Sequence, residues 1–354
     1  MDNSMPTSRR HLLFAATAIL GGALSNKFLR AQSPRDDFER TAADHLTPET
    51  DAAIERALKY LSQRQTDDGT FAGSGYSRNI AVGSLAGMAF MASGSTSRRG
   101  PFAKQVEKVL GYVIASGDAN GFLSVADATS QGPMYDHGFA TMFLAEVYGT
   151  TDDSRVRERL AKAVQLIIGT QNMEGGWRYQ PRVGDADVSV TVCQMMALRA
   201  ARNAGIAVPS ETIDRSLAYL KRSQNADGGF MYMSDGGPSK VPRSAAAVAA
   251  LFSAGIYEGE EIKRGLEYLR QQIPRAEDIC RDTHSMYGLY YSVQVMWQVG
   301  GEAWQKWYPA ARDALLATQK DNGSWNDPIC PEYGAAMACL ILQMPNNYLP
   351  IFQR

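Results

Sequence analysis

The sequence predicts an all-α fold, a single closed ring of six helical hairpins, or (α/α)6 toroid, spanning residues 49–345. Three observations carry that prediction. A glycine-aromatic turn recurs about every fifty residues, an amphipathic helix runs ahead of each turn, and a more apolar helix follows it. Self-similarity at such a period is the signature of a repeat architecture in which each unit buries its apolar face on its neighbours.

The turns share one grammar. Gln65 to Phe71, Gly117 to Phe122, Gln171 to Trp177, Gln224 to Phe230 and Gln319 to Trp325 each place glycine shortly before an aromatic residue. The aromatic positions are 71, 122, 177, 230 and 325, so the last gap is nearly two periods. A degenerate unit fills it at Tyr268-Leu269-Arg270-Gln271-Gln272, which keeps the helix and lacks the turn. Ahead of the turns, Ile54 to Leu61 and Ile213 to Leu220 show apolar residues at i, i+4 and i+7 with charges between them, the stripe of a helix with one solvated side. After the turns, Leu85–Met91, Gly138–Val147, Val190–Ala201, Ala245–Ala254, Met286–Val299 and Tyr333–Leu342 are apolar on most faces and rich in small residues. Helices of that kind pack on several sides, so the second helix of each hairpin is expected inside the ring. The glycines are expected to end the first helix with a positive φ.

The ends of the chain read differently. Ser8-Arg9-Arg10-His11-Leu12-Leu13-Phe14 sets an arginine pair before a short run from Leu12 to Leu24. That is the grammar of a twin-arginine export signal over residues 1–31, too short and weakly apolar for a membrane span. It implies a periplasmic or extracellular destination and no transmembrane helix in the mature chain. Residues 32–48 form a linker, and the apolar stretch 346–354 is expected to be a strap on the ring or a peptide for a protein partner. A formal charge of −1 and the lack of a basic tract argue against a nucleic-acid partner. The four cysteines, Cys193, Cys280, Cys330 and Cys339, form no CxxC pair.

The turns resemble the QW-type repeats of squalene–hopene cyclases and protein prenyltransferase β-subunits over roughly residues 49–345. That resemblance implies the toroid fold but no single activity. The ending is similar to that of exported bacterial repeat proteins without an assigned activity. Triterpene cyclases protonate an alkene with an Asp-x-Asp-Asp-Thr motif; aligned on Thr191, this chain keeps Asp187 but has Ser189 and Val190 at the other two acid positions. A serine hydroxyl is too weak an acid to protonate an alkene, which counts against squalene cyclisation. Arg281 to Leu289 is similar to the helix start that supplies the prenyltransferase zinc histidine, here His284. The matching Asp-x-Cys positions hold Arg243 and Ala245, so that zinc site is absent, while Lys240 matches a diphosphate-contacting lysine. Lanthionine cyclases, on the same ring, bind zinc with two Cys and one His. Cys280, His284 and Cys330 lie ahead of inner helices in adjacent repeats, so a zinc site, a Cys280–Cys330 disulfide and independent thiols all stay open.

In such a ring the inner helices all begin at one end, and their first residues line its mouth. Those residues include Tyr76, Asn79, Tyr135 and Asp282. The candidate catalytic set is Asp136, His137, Asp187, His284 and Glu332, and the candidate substrate contacts are Asp185, Lys240, Arg243, Tyr287 and Tyr333. A polar rim above an apolar cavity is the usual form of a ligand site; acids at helix starts also serve as caps. Met195, Met196, Met286, Tyr290, Tyr291, Met296 and Trp297 are either core or cavity wall. Three functions remain in view: binding or transformation of an apolar, isoprenoid-like small molecule; a non-catalytic interaction scaffold; and polysaccharide cleavage by paired carboxyls.

Overall fold

The computed structural model describes residues 38–39, 41–71, 75–271 and 284–353. The segment expected to be an export signal, Cys280 and Asp282 lie outside the described residues, and with them the metal and disulfide alternatives that need Cys280. Among the described residues the regular structure is twelve α-helices and three short 3-10 turns. The outer helices are α1 (Pro48–Arg64), α3 (Ala103–Ala115), α5 (Arg155–Thr170), α7 (Ser210–Arg222), α9 (Glu260–Gln271) and α11 (Gly301–Thr318). The inner ones are α2 (Ile80–Ala92), α4 (Pro133–Tyr148), α6 (Val188–Asn203), α8 (Val241–Ser253), α10 (Ser285–Val299) and α12 (Pro331–Leu342). Each inner helix packs on the next, and α12 packs back on α2, closing the ring. No described helix is long and apolar enough to cross a membrane.

Local chemistry fixes where these helices start. Proline sits in the first turn of α1, α4, α8 and α12, where its missing N–H costs nothing. Asn79 caps α2 by accepting the Val82 N–H at 3.0 Å, and Asp187 caps α6 by accepting the Val190 N–H at 2.9 Å. Burial follows the sequence pattern: every residue of α2 is buried, whereas α9 buries only one stripe.

The repeated turn turns out to be the joint between repeats. The outer helices end before the glycine: α1, α5 and α11 stop at a glutamine in extended conformation, and the glycine follows four residues later. The glutamine amide then binds two carbonyls. Gln171 Nε2 donates to Gly175 O and to Thr212 O, both at 2.9 Å, the second being at the start of the next outer helix. Gln65, Gln224 and Gln319 repeat the arrangement onto α3, α9 and α1. Gly175 has φ +97°, and a Cβ there would overlap the Arg215 carbonyl; the site demands glycine for both reasons. The last such turn seats Gly323 on Arg56 and Gln319 on Ala53, so the sixth repeat locks onto the first.

The middle of the ring is filled. Tyr290 and Tyr291 are fully buried and pack edge to face, and the Tyr290 hydroxyl reaches Met142 on α4. The strap seals the far end: Phe352 packs on Tyr290, the Ile351 N–H donates to Glu146 at 3.1 Å, and Gln298 donates to Phe352 O at 3.0 Å. Met195, Met196, Met286, Met296 and Trp297 are core residues here, all buried.

Candidate functional site

Because the tyrosines and the strap occupy the middle and far end, open space remains where the inner helices begin. A cavity of about 370 Å³ lies there, at the small end of the roughly 300–1,000 Å³ typical of small-molecule sites. Its apolar wall comes from Ala81, Val82 and Leu85 of α2, Phe139 of α4, Pro242 of α8 and Ile329. Six tyrosines add aromatic surface: Tyr76, Tyr135, Tyr179, Tyr232, Tyr287 and Tyr333.

Asp136 is the most buried acid on this wall, with 3% of its surface exposed. It lies in the first turn of α4. Burial pushes its pKa up to about 6, against the pull of hydrogen bonds from Ser130 and Asn79. Asn79 is itself immobilised. Its oxygen caps α2, and its amide donates to Asp136 Oδ1 and to Thr129 O, each at 2.9 Å. The carboxyl is therefore held in one place and is protonated over much of the weakly acidic range.

The other predicted residues divide by position. Lys240, Arg243, His284, Tyr287 and Tyr333 join Asp136 on the cavity wall. Asp187, His137 and Glu332 lie behind it. Asp187 is fully buried and caps α6; its second oxygen has no hydrogen bond, and Arg178 stands 3.8 Å away. Burial raises its pKa to about 6, as for Asp136, with the Val190 N–H and Arg178 opposing. His137 points outward between helices, accepting the Leu123 N–H at Nδ1 and meeting Ala163 O through Nε2. That geometry requires the neutral ring with its proton on Nε2, and burial lowers the pKa to about 4. Glu332 binds Arg64 at 3.0 Å and accepts from Tyr60, pinning α12 to α1. Asp185 is exposed at the rim and pairs with Arg178. Among the described residues no group of three His, Cys, Asp or Glu could hold a metal ion.

The sequence reading missed several wall residues. Tyr179, Tyr232 and Asp327 each stand two positions after a turn aromatic (Trp177, Phe230 and Trp325), and all three line the cavity. In a short extended segment, residues two apart share a face, so that register was the available signal. Asp327 accepts the Ile329 N–H at 2.9 Å, and burial pushes its pKa up to about 6. Ser189, at the position aligned with the missing acid, also lines the cavity. The rim carries its own stack: the Arg178 guanidinium lies over the Tyr179 and Tyr232 rings at 5.3 and 5.6 Å, and that of Arg243 over Tyr232 at 5.8 Å.

Comparison with known proteins agrees with this architecture. The model of the squalene-hopene cyclase C-terminal domain matches residues 132–279, which contain α4 to α9. The chain is 28% identical over 231 residues to drimenyl diphosphate synthase of Streptomyces showdoensis, covering 64% of this chain and 38% of that protein. It thus spans well under half the length of that relative. Among solved structures it is similar to a variant of the type II terpene cyclase MstE from Scytonema in complex with merosterolic acid A. That match has a TM-score of 0.59 at 14% identity and covers 85% of this chain and 98% of the other. It is equally similar in fold to a GH76 α-mannanase of Bacteroides thetaiotaomicron, with a TM-score of 0.59 at 9% identity over 87% of this chain and 98% of the other. At these identities the structural matches establish fold. With the family match they support a squalene-cyclase-like superfamily for this chain.

Proposed function

We propose that this exported toroid binds an apolar, isoprenoid-like molecule in the mouth cavity and transforms it by proton transfer from Asp136. The observation that carries the reading is one carboxyl, almost wholly buried, in the wall of an aromatic cavity and immobilised by Asn79. Its pKa of about 6 leaves it protonated in weakly acidic solution. An acid catalyst needs that state, and a low-dielectric site strengthens the acid's action on a bound alkene.

In this reading Asp136 delivers its proton to a carbon–carbon double bond. A C–H bond forms, the π pair is consumed, and a carbocation and the Asp136 carboxylate result. The faces of Tyr135, Tyr333 and Phe139 stabilise the cation. Loss of a proton or capture of water ends the reaction, and solvent at the mouth restores the Asp136 proton. Lys240 and Arg243 at the rim suit an anionic head group, in keeping with a relative whose name specifies a diphosphate product. The reaction differs from squalene cyclisation in its acid: Ser189 stands where the proton donor of that family aligns.

The test is incubation of the purified chain with farnesyl diphosphate, geranylgeranyl diphosphate and the corresponding alcohols, followed by gas chromatography–mass spectrometry. Isomerised, cyclised or hydrated products that vanish in Asp136→Asn are expected. If no compound of the panel binds or reacts, the interaction-scaffold reading takes over, which the filled middle of the ring favours.

A further inference from the structure

The cavity has a second chemical character, independent of turnover. Tyr135, Tyr287 and Tyr333 surround its interior, and two carboxyls, Asp136 and Asp327, enter the same space from different turns. Neither acid has an ion-pair partner among the described residues: Asp136 is met by Asn79 and Ser130, and Asp327 by a backbone N–H. Tyrosine faces attract cations through their quadrupole, more strongly where water is excluded. The rim demonstrates that preference within this molecule, since Tyr179 and Tyr232 already carry the guanidinium groups of Arg178 and Arg243 on their faces. The inner three tyrosines carry no such cation among the described contacts. Arg178 is engaged by Asp185, and Arg243 donates to the carbonyls of Phe230 and Pro238, so both are held at the rim; Lys240 and His284 share the cavity wall, and among the described residues neither forms an ion pair with Asp136 or Asp327.

We propose that the cavity is a receptor site for an organic ammonium ion, caged by Tyr135, Tyr287 and Tyr333 and neutralised by Asp136 and Asp327. An alkylated ammonium suits it better than a metal ion or ammonium itself. Its methyl groups contact Val82, Leu85 and Phe139, and it gives up little hydration on entering. Both acids ionise above pH about 6, so the cage gains its charge at neutral pH, the reverse of the condition that favours Asp136 as a proton donor.

The test compares choline with its uncharged isostere 3,3-dimethylbutan-1-ol by isothermal titration calorimetry on the full chain. At pH 7.5 choline is expected to bind at least about tenfold more tightly, an advantage that shrinks at pH 5 as the acids take up protons. Asp327→Asn and Tyr333→Leu should each erode the preference, with circular dichroism and melting temperature showing that the variants fold. Equal or tighter binding of the neutral compound, or no binding of choline at millimolar concentration, overturns the proposal. The measurement needs no reaction, so its result and that of the prenyl panel fail separately. Choline selectivity without turnover removes only the catalytic reading, and turnover without choline selectivity removes only the cage.

Discussion

The N-terminal ends of α4 and α6 sit side by side in the ring, and each carries a buried aspartate whose pKa is pushed up to about 6. Asp136 lies within the first turn of its helix, on the face that opens to the cavity, and takes its hydrogen bonds from Asn79 of the preceding repeat and Ser130 of its own. Asp187 lies about one helical turn earlier in register, at the cap. It spends one oxygen on its own helix and turns the other toward Arg178, behind the wall. The two have similar burial and similarly raised pKa values, yet one faces the cavity and the other a helix end. Perturbed acidity therefore identifies where a carboxyl is buried, and only the direction in which it points assigns its use.

The comparison yields four tests, in falling order of expected effect. Asp136→Asn should lower turnover of any substrate found by about 10²–10⁴-fold, whereas Asp187→Asn, which can still cap, should retain it. Equal losses in the two variants would erase the distinction. The second concerns stability. Asp136 binds its proton more tightly folded than unfolded, so its contribution is fully present below the ordinary carboxyl pKa and is lost as pH rises to about 6. Asp136→Asn removes that loss. Urea titrations across pH 4–7 should show the variant gaining on wild type by about 2 kcal/mol. Third, Asp187→Ala should cost about 1 kcal/mol through loss of the α6 cap, read as a lower urea midpoint with turnover preserved. Last, Asn79→Asp keeps the α2 cap while setting a second carboxyl beside Asp136. The midpoint of the pH–rate profile should move upward by about one unit.

The fold was legible because its signals are periodic. Turn glycines every fifty residues and alternating amphipathic and apolar helices report the ring directly, and the inner helices fell within a few residues of their observed starts. The position of the cavity was legible too, since hairpin topology sends every inner helix start to one end. Which side chains face that cavity was harder. His137 follows Asp136 by one residue and points away from it, because successive helical positions differ by about 100°. Glu332 and Asp187 look like mouth acids in one dimension and are tied to Arg64 and to a helix cap in three. Asp327 was passed over because its segment is extended, so a helical reading of the mouth skipped it. The filled middle could not be seen at all: Tyr290 meets Met142 from 148 residues away, a proximity that no local pattern encodes.

The joint between Gln319 and Ala53 has a consequence for the chain as a path. Because the sixth repeat grips the first with the same contacts that join neighbours, the ring has no structural beginning. Glu39 and Asn347 are hydrogen-bonded at 3.3 Å, so the two ends of the described ring lie together. The peptide could enter the circle at another exposed loop, such as that at Asp152, and travel the same route. The present order leaves one seam that cannot form until nearly the whole chain exists, since it joins residues 266 apart. Closure of that seam carries a large loop-closure cost, and the other joints resemble a string of beads until the clasp is fastened.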